Sequence, residues 1–208
     1  MYFCIMPKDG NKTKIRILDE TTQLVLENGF AGTSIDQILE RTALTKGAFF
    51  YHFANKAELA LKLMEYFVEK DMQELQDSLR ETEHFSENPR ERLLAFVQRF
   101  INIFRELDTP YAGCLYASYV YEPEQFSQEI KDAVAAAILR WREALAGLIK
   151  QASLSTQPKT AIDPESLADL FTVILEGSFI TSKALNDPKL TAHQLKHYKN
   201  YFELLFAD

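Results

Sequence analysis

The sequence predicts an all-α protein of about nine helices, with an N-terminal helix-turn-helix domain and a helical-bundle domain after it. Three observations carry this. No stretch alternates apolar and polar residues with period two over a useful length, so strands have no pattern to form on. Apolar residues recur instead at three- and four-residue spacing in segment after segment. Many of these segments open on Ser, Thr, Asn or Asp, two of them followed directly by Pro, which are helix-start signals.

Taken in order, Ile17, Leu18, Thr21, Leu24 and Val25 form the buried stripe of a first helix, and Gly29 fits its C′ stop. Before it, Lys8, Lys12, Lys14 and Arg16 are either a solvated terminus or an arm on phosphates. Ser34 with Gln37 fits a capping box, and Ile35, Ile38 and Leu39 give one apolar face that stops at Leu44. Thr45 caps a second short helix carrying Lys46 to Phe53. Asn55 caps a helix of roughly 25 residues, about 37 Å long, with the stripe Leu59, Leu63, Phe67, Leu75 and Leu79.

A break at Glu83 to Asn88 precedes a strong start, Asn88-Pro89-Arg90-Glu91, and the face Leu93, Leu94, Val97, Phe100, Ile101 and Phe104. Asp108-Thr109-Pro110 ends that helix, and Gly113 to Tyr121 is short, aromatic and without a clean period. Pro123 is expected to open the next helix, with Ile130, Val134, Ala137, Ile138, Trp141, Leu145, Leu148 and Ile149 inside. After a polar loop from Ser153 to Ile162, Asp163-Pro164 starts a helix with Leu167, Leu170, Phe171, Ile174, Leu175, Ser178 and Thr181. Thr191 to Gln194 reads as a final capping box, before Leu195, Tyr198, Phe202 and Leu205.

The pair of short helices around Leu44 sets the functional expectation. Two helices joined by three or four residues are the pattern whose second helix enters the DNA major groove. The second helix offers Thr45, Lys46 and Gly47 in its first turn: a hydroxyl, an ammonium and an uncovered N–H, all suited to a phosphate. Gly47 weakens a helix by roughly 1 kcal/mol against Ala, a cost tolerated where another molecule comes close. Phe49 and Phe53, four apart, can face the core while Tyr51 and His52 project elsewhere.

Gly29-Phe30, Thr33-Ser34-Ile35, Ile38, Thr45-Lys46-Gly47, Phe50-Tyr51-His52-Phe53, Lys56 and Leu59 together resemble the signature of the TetR (tetracycline repressor) family. The resemblance runs from about Arg16 to about Met64. It implies a homodimeric transcriptional regulator, with a helix-turn-helix DNA-binding domain over 1–56 and a ligand-binding and dimerisation domain over 57–208. It implies DNA contacts at Thr33, Thr45, Lys46, Gly47, Tyr51, His52 and Lys56 of this chain. It also implies a double-stranded DNA operator and release by a small-molecule effector. Members often carry Tyr where this chain has Phe50, so a phosphate-binding hydroxyl is missing here; Leu44-Thr45 stands for a common Val-Ser.

Composition narrows the remaining classes. The 208 residues carry a net charge of −7, which argues against a general nucleic-acid coat. Residues 1–62 hold eight Lys and Arg against seven Asp and Glu, so the acid excess lies in the body. Such a body repels DNA except where the first module docks. No run approaches a membrane span, and Met1 to Pro7 is too short and weakly basic for a signal peptide. Two cysteines, Cys4 and Cys114, make no disulfide framework, and a cytoplasmic location is expected.

No enzyme chemistry and no cofactor is expected. The seven glycines are scattered and cradle no phosphate. His193 and His197 lack a third metal ligand, so no metal is expected. Glu81-x-x-His84 lacks the second motif that a di-iron bundle needs. No nucleophile-elbow pattern surrounds any serine.

In the body, the last two helices carry small and apolar residues that read as a dimer interface: Phe171, Leu175, Ser178, Tyr198, Phe202 and Leu205. An effector pocket is expected among Phe100, Phe104, Cys114, Tyr119, Trp141, Phe171 and Phe179. The Gly113-Cys114-Leu115 block resembles one found in a branch of TetR-like regulators, some of which respond to electrophiles or oxidants. Related sequences can also carry a lysine at the position of Lys183; an ammonium there, if it met the thiol, would lower its pKa and make Cys114 the reactive member of a redox pair and the chain a thiol-sensing repressor. A third reading is a helical module that docks a protein instead of DNA.

Overall fold

The computed structural model describes residues 10–207. Cys4, the Met1 to Pro7 stretch and Lys8 of the expected basic arm lie outside the described residues. Among the described residues there are nine α-helices and no strand. They are α1 (Gly10–Gly32), α2 (Ile35–Thr42), α3 (Lys46–His52), α4 (Lys56–Glu81) and α5 (Pro89–Arg105). α6 (Leu115–Tyr121), α7 (Gln128–Ser155), α8 (Pro164–Leu185) and α9 (Leu190–Leu205) follow. Two single 3-10 turns, Glu83–Phe85 and Pro123–Gln125, join α4 to α5 and α6 to α7.

Local capping sets most of the helix starts. Ser34 and Gln37 exchange both capping-box bonds at α2. Thr45 accepts from Ala48 N–H at α3, and Asn55 from Glu58 N–H at α4. Asn88 and Asp163 do the same for α5 and α8, each with Pro in the first helical turn.

Three expectations are corrected. Pro123 opens only a 3-10 turn, because Phe126 turns to extended backbone and α7 begins at Gln128. Thr191 is not a cap: α9 starts one residue earlier, and the Thr191 hydroxyl is buried, accepting from Ser178 Oγ at 3.1 Å. Gly29 ends the first run of α1 at φ 75°, ψ 164°, but a short helical turn resumes directly after it.

The chain packs as two units. The first joins residues up to Phe67 with Cys114–Ala133; the second joins Val68–Gly113 with residues from Val134 onward. α4 and α7 contribute to both, so neither unit is a continuous stretch and the division is not a single cut at 56/57. In the first unit, α1 buries Ile17, Leu18, Leu24 and Val25. Tyr66 of α4 donates to Asp19 of α1 at 2.7 Å, and Phe67 meets the Tyr116 ring edge-on at 5.0 Å.

In the second unit, α9 packs on α5 and α8. Leu93, Phe96, Val97 and Ile101 of α5 and Leu195, Tyr198 and Phe202 of α9 are all buried. Tyr198 donates to the Leu167 carbonyl at 2.6 Å, and burial holds its hydroxyl well above the usual tyrosine pKa. Lys189 Nζ donates to the carbonyls of Arg105 and Leu107, satisfying the orphan C-terminal end of α5.

The residues expected at a dimer interface pack within this chain. Phe171, Ser178, Tyr198, Phe202 and Leu205 are buried inside this chain, and Leu175 is half-buried, so they are not a free surface. The physical reason is that α8 and α9 are apolar on more than one face, and tertiary packing chooses which turns in. The outward face of α8 carries Leu170, Val173, Gly177 and Ile180 at 3-4-3 spacing; Tyr201 and Leu204 lie outward on α9.

Candidate nucleic-acid interface

The turn between α2 and α3 is fixed from three sides. Thr42 Oγ1 bonds back to the Ile38 carbonyl at 2.6 Å. Ala43 takes a left-handed conformation, φ 49°, and its N–H closes on the last turn of α2. The Arg16 guanidinium donates to the Thr42 carbonyl, so this arm residue is a helix cap for α2. Thr45 then starts α3.

α3 is split by the three-to-four residue period. Phe49 and Phe53 are fully buried, with ring centroids 5.6 Å apart. Phe50 and Tyr51 point outward, Tyr51 at 82% exposure. His52 is half-exposed, with its ring 4.9 Å from that of Tyr51. A short helix this aromatic, with its two largest polar-tipped rings outside the core, is built to meet something else.

Lys46 is exposed and pairs with Asp36 at 3.2 Å. An exposed pair of this kind is worth under about 1 kcal/mol, so a phosphate can replace Asp36. At Gly47, an added Cβ would meet only Thr45 Oγ1 at 4.0 Å. Among the described residues, nothing requires glycine there. Thr45 uses its oxygen on Ala48 N–H and keeps its O–H to donate outward.

Two of the seven expected contacts turn the other way. Thr33 is 1% exposed, and its hydroxyl donates to the Gly29 carbonyl at 2.8 Å. Lys56 Nζ donates to the Phe30 carbonyl at 2.7 Å and lies 4.6 Å from the Phe30 ring centroid. Burial lowers its pKa, and the Glu122 carboxylate works against that. The structure thus brings Thr45, Lys46, Gly47, Tyr51 and His52 onto one element and commits Thr33 and Lys56 to the corner behind it. A groove of about 410 Å³, lined by Ser34, Ile35, Asp36, Lys46, Phe50 and Lys56 among others, runs past α2 and α3.

Sequence reasoning missed Asp36 as the partner of Lys46 and Glu122 as a carboxylate on the Phe30 and Ala31 N–H groups. Asp36 was legible, ten residues before Lys46 and on the facing helix. No local signal marks Glu122, which comes from 91 residues away.

The expected effector wall is placed in two groups. Phe100, Trp141 and Phe171 pack ring on ring in the second unit, with centroids 5.2 to 6.1 Å apart. Trp141 Nε1 donates to Asp71 at 2.9 Å. Phe104 and Phe179 meet at 5.5 Å, both against Tyr111. Tyr119 and Cys114 belong to the first unit; Tyr119 touches Phe126, and Cys114 is half-buried just before α6. Lys183 belongs to the second unit. Among the described residues, no group of three or more His, Cys, Asp or Glu could hold a metal ion. Among them, no helix is long and apolar enough to cross a membrane.

An all-α chain whose capped helix-turn-helix presents an open, polar-tipped second helix is of the helix-turn-helix class. The chain belongs to the TetR family: residues 17–63 match "Bacterial regulatory proteins, tetR family" and residues 89–198 match "Tetracyclin repressor-like, C-terminal domain". It is 45% identical over 56 residues to an uncharacterised HTH-type transcriptional regulator of Lactococcus lactis, covering 27% of this chain and 29% of that one. It is 28% identical over 122 residues to the HTH-type transcriptional repressor NemR of Escherichia coli, covering 59% of each. The chain thus spans less than two thirds of the length of these two relatives. The crystal structure of the reduced form of E. coli NemR superposes with a TM-score of 0.71 at 21% identity, covering 91% of this chain and 96% of that one. At that identity the likeness is one of fold.

Proposed function

We propose that this chain is a DNA-binding transcriptional regulator, acting as a repressor that leaves its operator when a small-molecule effector binds. The observation that carries the reading is α3: its core face is filled by Phe49 and Phe53 while Lys46, Gly47, Phe50 and Tyr51 are left outward. Major-groove docking uses such a helix, with its N-terminal residues on base edges and phosphates. Gly47→Ala tests it. With open space at the Cβ, the variant gains up to about 1 kcal/mol of stability from helix propensity, while its methyl obstructs close approach to DNA. The reading expects a higher melting temperature together with weaker DNA binding; unchanged binding by a stabilised variant contradicts it.

Two copies reading successive major grooves, about 34–36 Å apart, account for the outward apolar stripe Leu170, Val173, Gly177 and Ile180 on α8 with Leu204 on α9. Small Gly177 in its middle lets helices approach closely, as a two-fold contact between two copies of this face would require. The effector would lie among the rings of Phe100, Phe104, Trp141, Phe171 and Phe179 and favour a state that no longer matches the operator. A cytoplasmic location goes with this reading.

A second reading has Cys114 as the trigger. What favours it is the half-buried thiol at the start of α6, together with a NemR relative solved in its reduced form. Alkylation rate against pH on Cys4→Ser protein measures its apparent pKa. A value well under the free-cysteine 8.5 or so, with loss of DNA binding on modification, supports the sensor. A value at or above it, or full binding by modified protein, leaves the reversible effector alone.

A further inference from the structure

The helix-turn-helix is entered through a corner at Gly29–Thr33, whose backbone N–H and carbonyl groups at Gly29, Phe30 and Ala31 are held by side chains. Gly29 breaks α1 at φ 75°, and the helical turn that restarts after it presents two N–H groups outward. Both go to one carboxylate: Phe30 N–H to Glu122 Oε1 at 2.8 Å and Ala31 N–H to Glu122 Oε2 at 2.7 Å. The Phe30 carbonyl accepts from Lys56 Nζ at 2.7 Å, and the Gly29 carbonyl from Thr33 Oγ1. Ser34, the cap of α2, comes next in the chain.

Glu122 stands at the C-terminal end of α6, immediately before Pro123, whose fixed φ narrows the directions in which that corner can leave. Four residues on, Phe126 lays its ring 4.9 Å from that of Phe30 and 5.6 Å from that of Tyr119. A Cβ at residue 29 would stand 2.7 Å from Glu122 Oε1. The glycine is therefore demanded twice, by its φ and by the approach of the carboxylate. A bidentate carboxylate on two backbone donors is a charge-assisted arrangement with a narrow geometry.

We propose that Glu122 is a positioning residue for DNA reading: it fixes the Phe30–Ala31 corner, and with it the start of α2 and α3, to the end of α6. The proposal rests on the DNA-binding reading for its consequence, and on the corner geometry for its existence. It gives α6 a direct mechanical hold on the helix-turn-helix, independent of Lys46 and of any phosphate contact. It also gives Lys56 a role other than phosphate binding, as the group that grips the same Phe30 peptide from its carbonyl side.

The test uses full-length Glu122→Gln, Glu122→Ala, Gly29→Ala and the Gly29→Ala/Glu122→Ala double variant. Hydrogen exchange is followed on DNA-free protein. In Glu122→Ala, exchange over residues 30–42 is expected to quicken at least about fivefold, the low end of coupling effects, with α8 and α9 unchanged. Glu122→Gln keeps one acceptor oxygen and is expected to fall between; it carries the test if the alanine variant does not fold. Exchange that is unchanged over 30–42, or quickened everywhere alike, overturns the proposal. Affinity is then measured on a duplex that wild-type protein selects from a randomised pool. Losing a negative charge favours DNA on charge alone, so a loss of at least about fivefold with an unaltered salt slope marks positioning. The double variant is expected to lose no more than the worse single one, since both remove the same hold. Tighter binding by Glu122→Ala, or additive losses in the double variant, overturns the proposal. If wild-type protein selects no duplex, the DNA reading fails and hydrogen exchange alone decides the hold.

Discussion

Lys46 and Lys56 flank α3 with the same charge, yet their surroundings set them different tasks. Lys46 is exposed, with only a weak surface partner in Asp36, so it can release counterions on a phosphate. Lys46→Ala is expected to weaken binding to all duplexes and to lower the log–log salt slope by roughly one unit. Lys56 is committed to the Phe30 carbonyl, and Lys56→Met is expected to weaken binding with no change of slope. Titrations at three or more salt concentrations separate the two. Phe50 is 48% exposed beside the groove at Lys46, where a phenol oxygen could reach a phosphate. Phe50→Tyr is expected to tighten binding; equal or weaker binding would remove the phosphate from that position. Tyr198 gives a prediction independent of DNA. Burial raises its pKa above the ordinary 10.0. The neutral phenol of the fold therefore contributes stability that is complete below pH 10 and is lost as pH rises above it, where the unfolded chain ionises. Tyr198→Phe is expected to cost about 1 kcal/mol for the bond to Leu167 and to flatten the alkaline fall in a denaturant series run against pH.

At the scale of elements, what was legible in the sequence was local. Ser34, Thr45, Asn55, Asn88 and Asp163 start their helices because a cap needs only a side chain and an N–H two or three residues on. Ser34→Ala is expected to cost about 1 kcal/mol of stability, read as a lowered melting temperature, and to weaken DNA binding by loosening α2. What failed was non-local. Pro123 carries a valid start signal, but Phe126 is drawn to the rings of Phe30 and Tyr119, which ends the turn and delays α7 to Gln128. Thr191 to Gln194 has the right letters, but the Thr191 hydroxyl is taken by Ser178 from α8. Within the candidate site, Thr45 to His52 were legible from caps and period. Thr33 and Lys56 were not, because the carbonyls of Gly29 and Phe30 that engage them are exposed by a backbone break at Gly29.

At the scale of the whole molecule, α8 and α9 show where periodicity stops being informative. Both helices are apolar on two faces, and packing against each other, α5 and the Trp141 ring decides that Phe171, Tyr198 and Phe202 turn inward. The two faces therefore respond differently to charge. Phe202→Glu buries a carboxylate where the ring is fully enclosed and is expected to unfold the chain, at a cost above about 3 kcal/mol. Val173→Glu with Ile180→Glu, on the outward stripe, is expected to keep the melting temperature and to turn a dimer into a monomer by light scattering. Selection from a randomised duplex pool at 150 mM salt tests whether α3 reads DNA. Wild-type protein is expected to enrich a sequence with two-fold symmetry and half-sites about one helical turn apart. Lys46→Ala protein, folded to the same melting temperature, is expected to retain the same sequence more weakly. Enrichment of no sequence by folded wild-type protein, or equal retention of selected and unselected duplexes, would contradict that reading.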